Sequence, residues 1–261
     1  MKKMLRVWRR MAQMSLRVQL SYPLGSLGFL IGKLVRFIFF FAFLAAAFRK
    51  TRTLSGYTLP TLALFFLTYN WVDMIAQTFF RGIYSARRAV EEGDFDFYLV
   101  QPCPPLFRLC LNTVDFLDIA SLLPVAALTA WVFPRLGIAL SLEKIMIYAL
   151  LTLNGVAIAF AIHVFVAALA VRTQELENAI WVYRDVMFLG KFPTSIYGGP
   201  LQIFLTWVIP VGVMVSFPAQ ALLGSLTASR AGYALLLAAA LLAAARLSWS
   251  SAVKSYSSSS S

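Results

Sequence analysis

The sequence predicts an all-α membrane protein: an N-terminal amphipathic helix lying in the bilayer interface, then about six transmembrane helices. Three observations predict it. Of the 261 residues, 60% are hydrophobic and only 13% charged, against about 45–50% and about 25% in a soluble domain. The apolar residues come in runs near the roughly 20 residues a membrane helix needs. The basic residues behind the net charge of +12 sit mostly at the ends of those runs, where lipid headgroups and membrane orientation account for them. Nucleic acid is therefore not an expected partner; membrane lipid is.

The first 26 residues carry the amphipathic element. Lys2, Lys3, Arg6, Arg9, Arg10, Gln13 and Arg17 fall on one helical face about 120° wide, at about 100° per residue. Met4, Leu5, Val7, Trp8, Met11, Met14 and Val18 cover the rest. A basic face opposite an apolar face with Trp lies in the interface plane rather than crossing it. The transmembrane region follows over 27–249, with expected crossings at 27–48, 59–80, 109–133, 144–170, about 176–194 and 231–249. Between the last two, Pro200, Pro210 and Pro218 break an apolar stretch into pieces too short to span. Over 199–226 the sequence thus predicts two short helices that dip into the membrane and return, covered by protein where the backbone breaks. Residues 250–261 read as a polar tail.

Loop charge sets the orientation. With the N-terminus inside, the inner segments hold fourteen Lys and Arg and the outer segments seven, so both termini are expected in the cytoplasm. Arg49, Lys50 and Arg52 are a local exception on the outer side. The longest inner loop, 81–108, differs in composition: Arg87 and Arg88 precede Glu91, Glu92, Asp94 and Asp96, and Pro102, Pro104 and Pro105 follow. A polar helix stopped at Gly93 and a Pro-terminated segment make an ordered element.

Several chemistries have no residues to carry them. The sequence has no G-x-x-x-x-G-K-[ST]; Gly32-Lys33 and Gly190-Lys191 lack the upstream glycine, so no P-loop can cradle a nucleotide. It has no H-E-x-x-H or G-x-S-x-G. Cys103 and Cys110 read as free thiols with no histidine partners at zinc spacing. His163, inside FAIHVFV, reads as a packed helix histidine.

Ionisable residues at membrane depth are functional candidates. Asp73, Asp115 and Asp118 are expected in the inner half of the bilayer, with Asp115 and Asp118 three apart on one helix face and Lys33 and Arg36 at similar depth. Two roles follow: the charges pair and brace the bundle, or the aspartates line a path favouring cationic or amphipathic substrates. A proton-coupled carrier using Asp73, Asp115, Asp118 and His163 as a relay is the alternative function; it predicts internal helix repeats, which the sequence does not show.

The run FFRGIYSARRAVEEGDFDFYLVQPCPPLFRL resembles the segment after the second helix of ABC type-2 permeases, in the branch called uncharacterised ABC-transport permease components. That branch shows I-x-x-G-x-[LF]-D-x-x-L-x-x-P, met here by Val90, Gly93, Phe95, Asp96, Leu99 and Pro102, the valine being a mild departure. A second motif, P-x-x-I-Y, then I-P, then P-A-x-x-L-x-G, is met by Pro193, Ile196, Tyr197, Ile209, Pro210, Pro218, Ala219, Leu222 and Gly224. The resemblance implies an exporter permease of the bacterial inner membrane that hydrolyses nothing itself. It implies a separate ABC ATPase that binds ATP and Mg, no cofactor in this chain, and a second permease subunit in a homodimer or heterodimer. Arg87, Arg88, Glu91, Glu92, Gly93, Asp94, Phe95 and Asp96 then become the candidate coupling element, with Glu91, Glu92, Asp94 and Phe95 docking on the ATPase. Asp73, Asp115 and Asp118 become the candidate substrate path, and Tyr197, Pro210 and Pro218 an outer gate.

Overall fold

A computed structural model describes residues 2–49, 51, 53–173 and 179–257. Among these the protein is helical, with no strand beyond a single bridge between Leu54 and Tyr57. The helices are α1 (Lys2–Ser21), α2 (Pro23–Phe48), α3 (Leu59–Phe80), α4 (Ala86–Glu91), α5 (Asp94–Val100), α6 (Pro105–Leu111), α7 (Phe116–Val132), α8 (Leu142–Thr173), α9 (Ala179–Phe188), α10 (Gly199–Ile203), α11 (Phe217–Leu222) and α12 (Ala228–Lys254). Five of them, α2, α3, α7, α8 and α12, are long and apolar enough to cross a bilayer.

α1 and α2 meet at Tyr22-Pro23, where proline takes the first position of α2. α1 packs through a narrow stripe: Ala12 and Ser15 are buried, and the Gln19 amide donates to the Val114 carbonyl (3.1 Å) while its oxygen accepts from the Phe116 amide (3.1 Å). Leu5, Met14, Val18 and Leu20 remain exposed. An apolar face left uncovered by protein beside a basic face suits the bilayer interface.

The core is built on α3 and α8. Leu62 to Leu67 and Val72 of α3 are buried, and α8 buries Leu151, Ile158, Ala161 and Val164 against α12. Asn154 of α8 donates to the Ala234 carbonyl of α12 at 3.0 Å. α12 contributes mainly alanines to this contact, Ala234, Ala238 and Ala245, small residues that let membrane helices approach closely.

The third crossing starts later than the sequence suggested. α6 stops at Leu111, the chain turns through Asn112–Val114, and α7 begins at Phe116 with Asp115 as its N-cap. Asp115 and Asp118 therefore do not share the face of one continuous helix. Helix α12 also runs on to Lys254, so 250–254 is helix rather than tail; of that tail, 258–261 lie outside the described residues.

The fifth passage, expected over about 176–194, is short and composite, and 176–178 lie outside the described residues. α9 continues as a 3-10 turn over Leu189–Lys191 and then as extended chain at Phe192. At its start Trp181 lies 5.7 Å from Tyr84, just beyond the α1-side end of α3. At its end Phe192 packs on Phe40 of α2 (5.7 Å), and Ser195 is hydrogen-bonded to Tyr57, before the far end of α3 (2.6 Å). Residues 179–195 thus pass through the bundle once.

After it the chain descends through α10 and a π-helical turn (Phe204–Val208), bends by 81°, and returns through Gly212–Ser216 into α11. Both ends lie on the far side: Ala219 and Leu222 join the cluster of Leu64 and Phe65, next to Leu136 and Ile138 between α7 and α8. This is the re-entrant pair expected from the prolines. Ser216, fully buried, accepts from the Thr194 amide (3.2 Å), satisfying backbone at a break. Gly155 of α8 makes room for the bend, since a Cβ there would stand 3.1 Å from the Met214 Cα.

Candidate functional site

A cavity of about 370 Å³ opens between α2, α3, α7 and the fifth passage. Its charged walls are Lys33 and Arg36 from α2, Asp73 from α3, Arg81 from the turn that follows α3, Asp118 from α7, and Arg184 and Lys191 from the fifth passage. Tyr69, Asn70 and Gln77 add polar groups, and Phe29, Phe37, Phe66 and Met74 add apolar ones. The helical spacing of Asn70, Asp73, Met74 and Gln77 puts all four on one face of α3, and Arg81, in the 3-10 turn just beyond its end, continues it.

The aspartates divide into two kinds. Asp118 is ion-paired with Lys33 and lies 3.8 Å from Arg81. Asp115 is ion-paired with Arg81, and its other oxygen accepts from the amides of Leu117 (3.0 Å) and Asp118 (3.2 Å). It thereby neutralises the open N-terminus of α7. Asp73 makes no ion pair within 4.0 Å among the described residues and faces the cavity.

Bracing thus describes Asp115 and Asp118, through Lys33 and Arg81. Arg36, which the sequence offers as a second partner, lines the cavity instead. By sequence Arg81 counts as a loop charge, while Arg184 and Lys191 fall inside the crossing expected at about 176–194 and are also counted in the loop tally. The last two come one from each side of the loop tally, so its bias stands. Lys191 is 6% exposed, with Nζ 3.4 Å from the centre of the Phe188 ring. Arg184 lies over Tyr84 (5.8 Å) and Trp181 (5.6 Å). Aromatic faces can stabilise such cations.

His163 stands apart from this cavity. It is fully buried, its Nδ1 lies 2.7 Å from the Ala159 carbonyl, and its ring packs among Phe80, Tyr84 and Tyr183. The four-residue relay of the carrier alternative is not assembled in one place.

At the α1 side of the bundle, α4 and α5 form a hairpin turned at Gly93, whose φ of +78° favours glycine. Arg87 donates to Glu91 (2.6 Å) and Arg88 to Glu92 (2.8 Å), both one helical turn apart. Asp94 and Asp96 occupy the first turn of α5, where carboxylates suit the helix dipole. Burial, then the Asp94 carboxylate, push the Tyr98 phenol up, while Arg108 over its ring acts the other way.

Phe95 is fully buried, 5.0 Å from Tyr256 and 6.1 Å from Trp249, in a cluster with Val90, Ala168, Val171 and Ala252. The expectation that Phe95 docks on a partner beside Glu91, Glu92 and Asp94 is corrected: its ring is spent fixing the hairpin to the ends of α8 and α12. Glu91, Glu92, Asp94, Phe97, Leu99 and Val100 are exposed on the hairpin.

On the far side, Tyr197 donates its hydroxyl to the Leu189 carbonyl (2.7 Å). Pro210 is buried at the re-entrant bend and Pro218 in the first turn of α11. The signals for this arrangement are all in the sequence as prolines and glycines; those for the cavity are not, because its cations come from separate helices and their meeting is a matter of tertiary packing.

No curated protein and no solved structure matches the chain. A family model described as ABC-2 family transporter protein matches residues 33–260, which takes in the cavity cations, the α4–α5 hairpin and the re-entrant pair. The chain is thus an ABC transporter permease, a multi-pass membrane protein belonging to the ABC-2 transporter family.

Proposed function

We propose that the protein works as the permease of an ATP-driven exporter, moving an amphipathic or lipid-like compound from the cytoplasm or inner leaflet, with both termini cytoplasmic. ATP and Mg are held by a separate ATPase subunit, and a second permease subunit completes the transporter. The observation that carries this reading is the α4–α5 hairpin. It presents Glu91, Glu92 and Asp94 at the α1 side while Phe95 locks it to α8 and α12. A push on such a hairpin moves two long helices as rigid bodies, which is how a nucleotide-driven closure is passed to a membrane domain. The re-entrant pair, packed on α8 at Gly155, is placed to follow that movement and open or close the far side.

The test is co-purification with a P-loop ATPase encoded beside the chain, followed by hydrolysis measurements with the hairpin intact and with Glu91 and Glu92 reversed to Lys. Loss of coupled hydrolysis in the reversed complex supports the reading. Full transport with the reversed hairpin removes it.

A further inference from the structure

The charge of the cavity has a sign. Five cations line it, Lys33, Arg36, Arg81, Arg184 and Lys191, against two carboxylates, Asp73 and Asp118. Counting Asp115, which pairs with Arg81 from behind, the cations still exceed the carboxylates by two. The pairing also fixes which cations are free. Lys33 and Arg81 are engaged by Asp118 and Asp115, whereas Arg36, Arg184 and Lys191 have no carboxylate within 4.0 Å among the described residues. Like charges gathered at membrane depth repel and are costly to keep there. Such a cluster is retained where something negative sits among it. Asp118 and Asp115 are already answered by Lys33 and Arg81, so among the described residues Asp73 is the one unpaired carboxylate facing three unpaired cations, and this excess of positive charge favours an anion over the cationic substrate expected from the aspartates.

We propose that the cavity receives the oxyanion headgroup, phosphate in kind, of an amphipathic molecule. Arg36, exposed into the cavity, offers a planar fork that can hold two oxygens of one phosphate. Lys191 supplies a point charge, its stem buried and its ammonium held over Phe188. Phe29, Phe37 and Met74 form the apolar wall for a hydrocarbon body.

A second observation gives the route. A cleft of about 550 Å³ runs under α1 between Met14, Gln19, Tyr22 and Asp115, and it shares Phe29 and Arg81 with the charged cavity. A molecule lying at headgroup level beside α1 would reach the cations without crossing the apolar core. This inference names the substrate class for the permease reading and rests on it.

The purified full-length chain in neutral detergent is titrated with dihexanoyl phosphatidic acid, dihexanoyl phosphatidylcholine, hexyltrimethylammonium and inorganic phosphate. The phosphatidic acid is expected to bind about tenfold or more tighter than the zwitterionic and cationic probes. Arg36→Gln and Lys191→Met are each expected to remove about tenfold of that affinity with an unchanged melting temperature. Competition by inorganic phosphate assigns the site to free phosphate; its failure to compete assigns it to a lipid headgroup. Equal affinity for the anionic and cationic probes, or undiminished affinity in both variants, overturns the proposal. Binding is read without nucleotide, so a chain that binds the anion yet supports no partner's hydrolysis sinks the permease reading alone. One that supports hydrolysis but does not discriminate by charge sinks only this inference.

Discussion

Asp115 caps the first turn of α7 with one carboxylate oxygen and holds Arg81, just beyond the end of α3, with the other. One short side chain thus joins two membrane helices at the point where α1 also attaches, since Gln19 bonds the backbone on either side of Asp115. The joint explains why charges at this depth are tolerated. Asp115, Asp118, Arg81 and Lys33 are each answered by an opposite charge, and Asp115 by a helix terminus as well.

The pair between Lys33 and Asp118 is buried on the acid side. Asp118→Asn leaves the ammonium without a counter-charge and is expected to destabilise the protein by about 3–5 kcal/mol. The double variant Lys33→Met with Asp118→Leu should recover most of the loss, because it removes both charges together. Melting curves of the single and double variants check this. A double variant no better than Asp118→Asn would mean that the charges do more than answer each other.

Gly155 carries the contact between α8 and the re-entrant bend. Gly155→Ala places a methyl group against the backbone of Met214, with no flexible side chain to yield. It should cost about 1–3 kcal/mol and loosen the re-entrant pair, read as a lower melting temperature and faster proteolysis near Pro210. Gly232 of α12, where an added Cβ would meet nothing within 4 Å, is the control position, and alanine there should be neutral or stabilising.

Much of this architecture is legible in the sequence, and the misses have physical causes. The range of α3 and the re-entrant pair follow from the length of an apolar run and the placement of prolines. The break before α7 does not: Asn112, Thr113 and Asp115 form a helix start, but apolar residues on both sides hide it inside one long run. The cavity cations Arg184 and Lys191 fall inside the crossing expected at about 176–194, but nothing in the sequence says that they meet Lys33 and Arg36 of α2 around one space. The short composite fifth passage brings them there. Gln19, mid-polar in an amphipathic helix, gives no sign of its tertiary bonds.

The hairpin separates folding from coupling. Glu91 and Glu92 make exposed pairs worth about 0.3–0.5 kcal/mol each, so reversing both to Lys should barely move the melting temperature while lowering partner assembly or coupled hydrolysis. Phe95→Ala removes a fully buried ring and should cost about 3–5 kcal/mol. Comparable destabilisation from both substitutions would argue that the acids are structural.

Cys103 and Cys110 report topology unequally. Cys103 is partly exposed and Cys110 buried, so an impermeant thiol reagent added outside intact cells should label neither, and after permeabilisation Cys103 should react well before Cys110. Labelling of Cys103 from outside would invert the orientation.

The central claim is that this chain moves cargo with energy supplied by another subunit. The most direct measurement is nucleotide binding and hydrolysis by the homogeneous isolated chain, then by the same chain assembled with its ATPase. The isolated chain should bind and hydrolyse no ATP, because it has no loop to cradle phosphates. The assembled complex should hydrolyse ATP at a rate that falls when Glu91 and Glu92 are reversed. Hydrolysis by the isolated chain, or a complex indifferent to that reversal, would contradict the account.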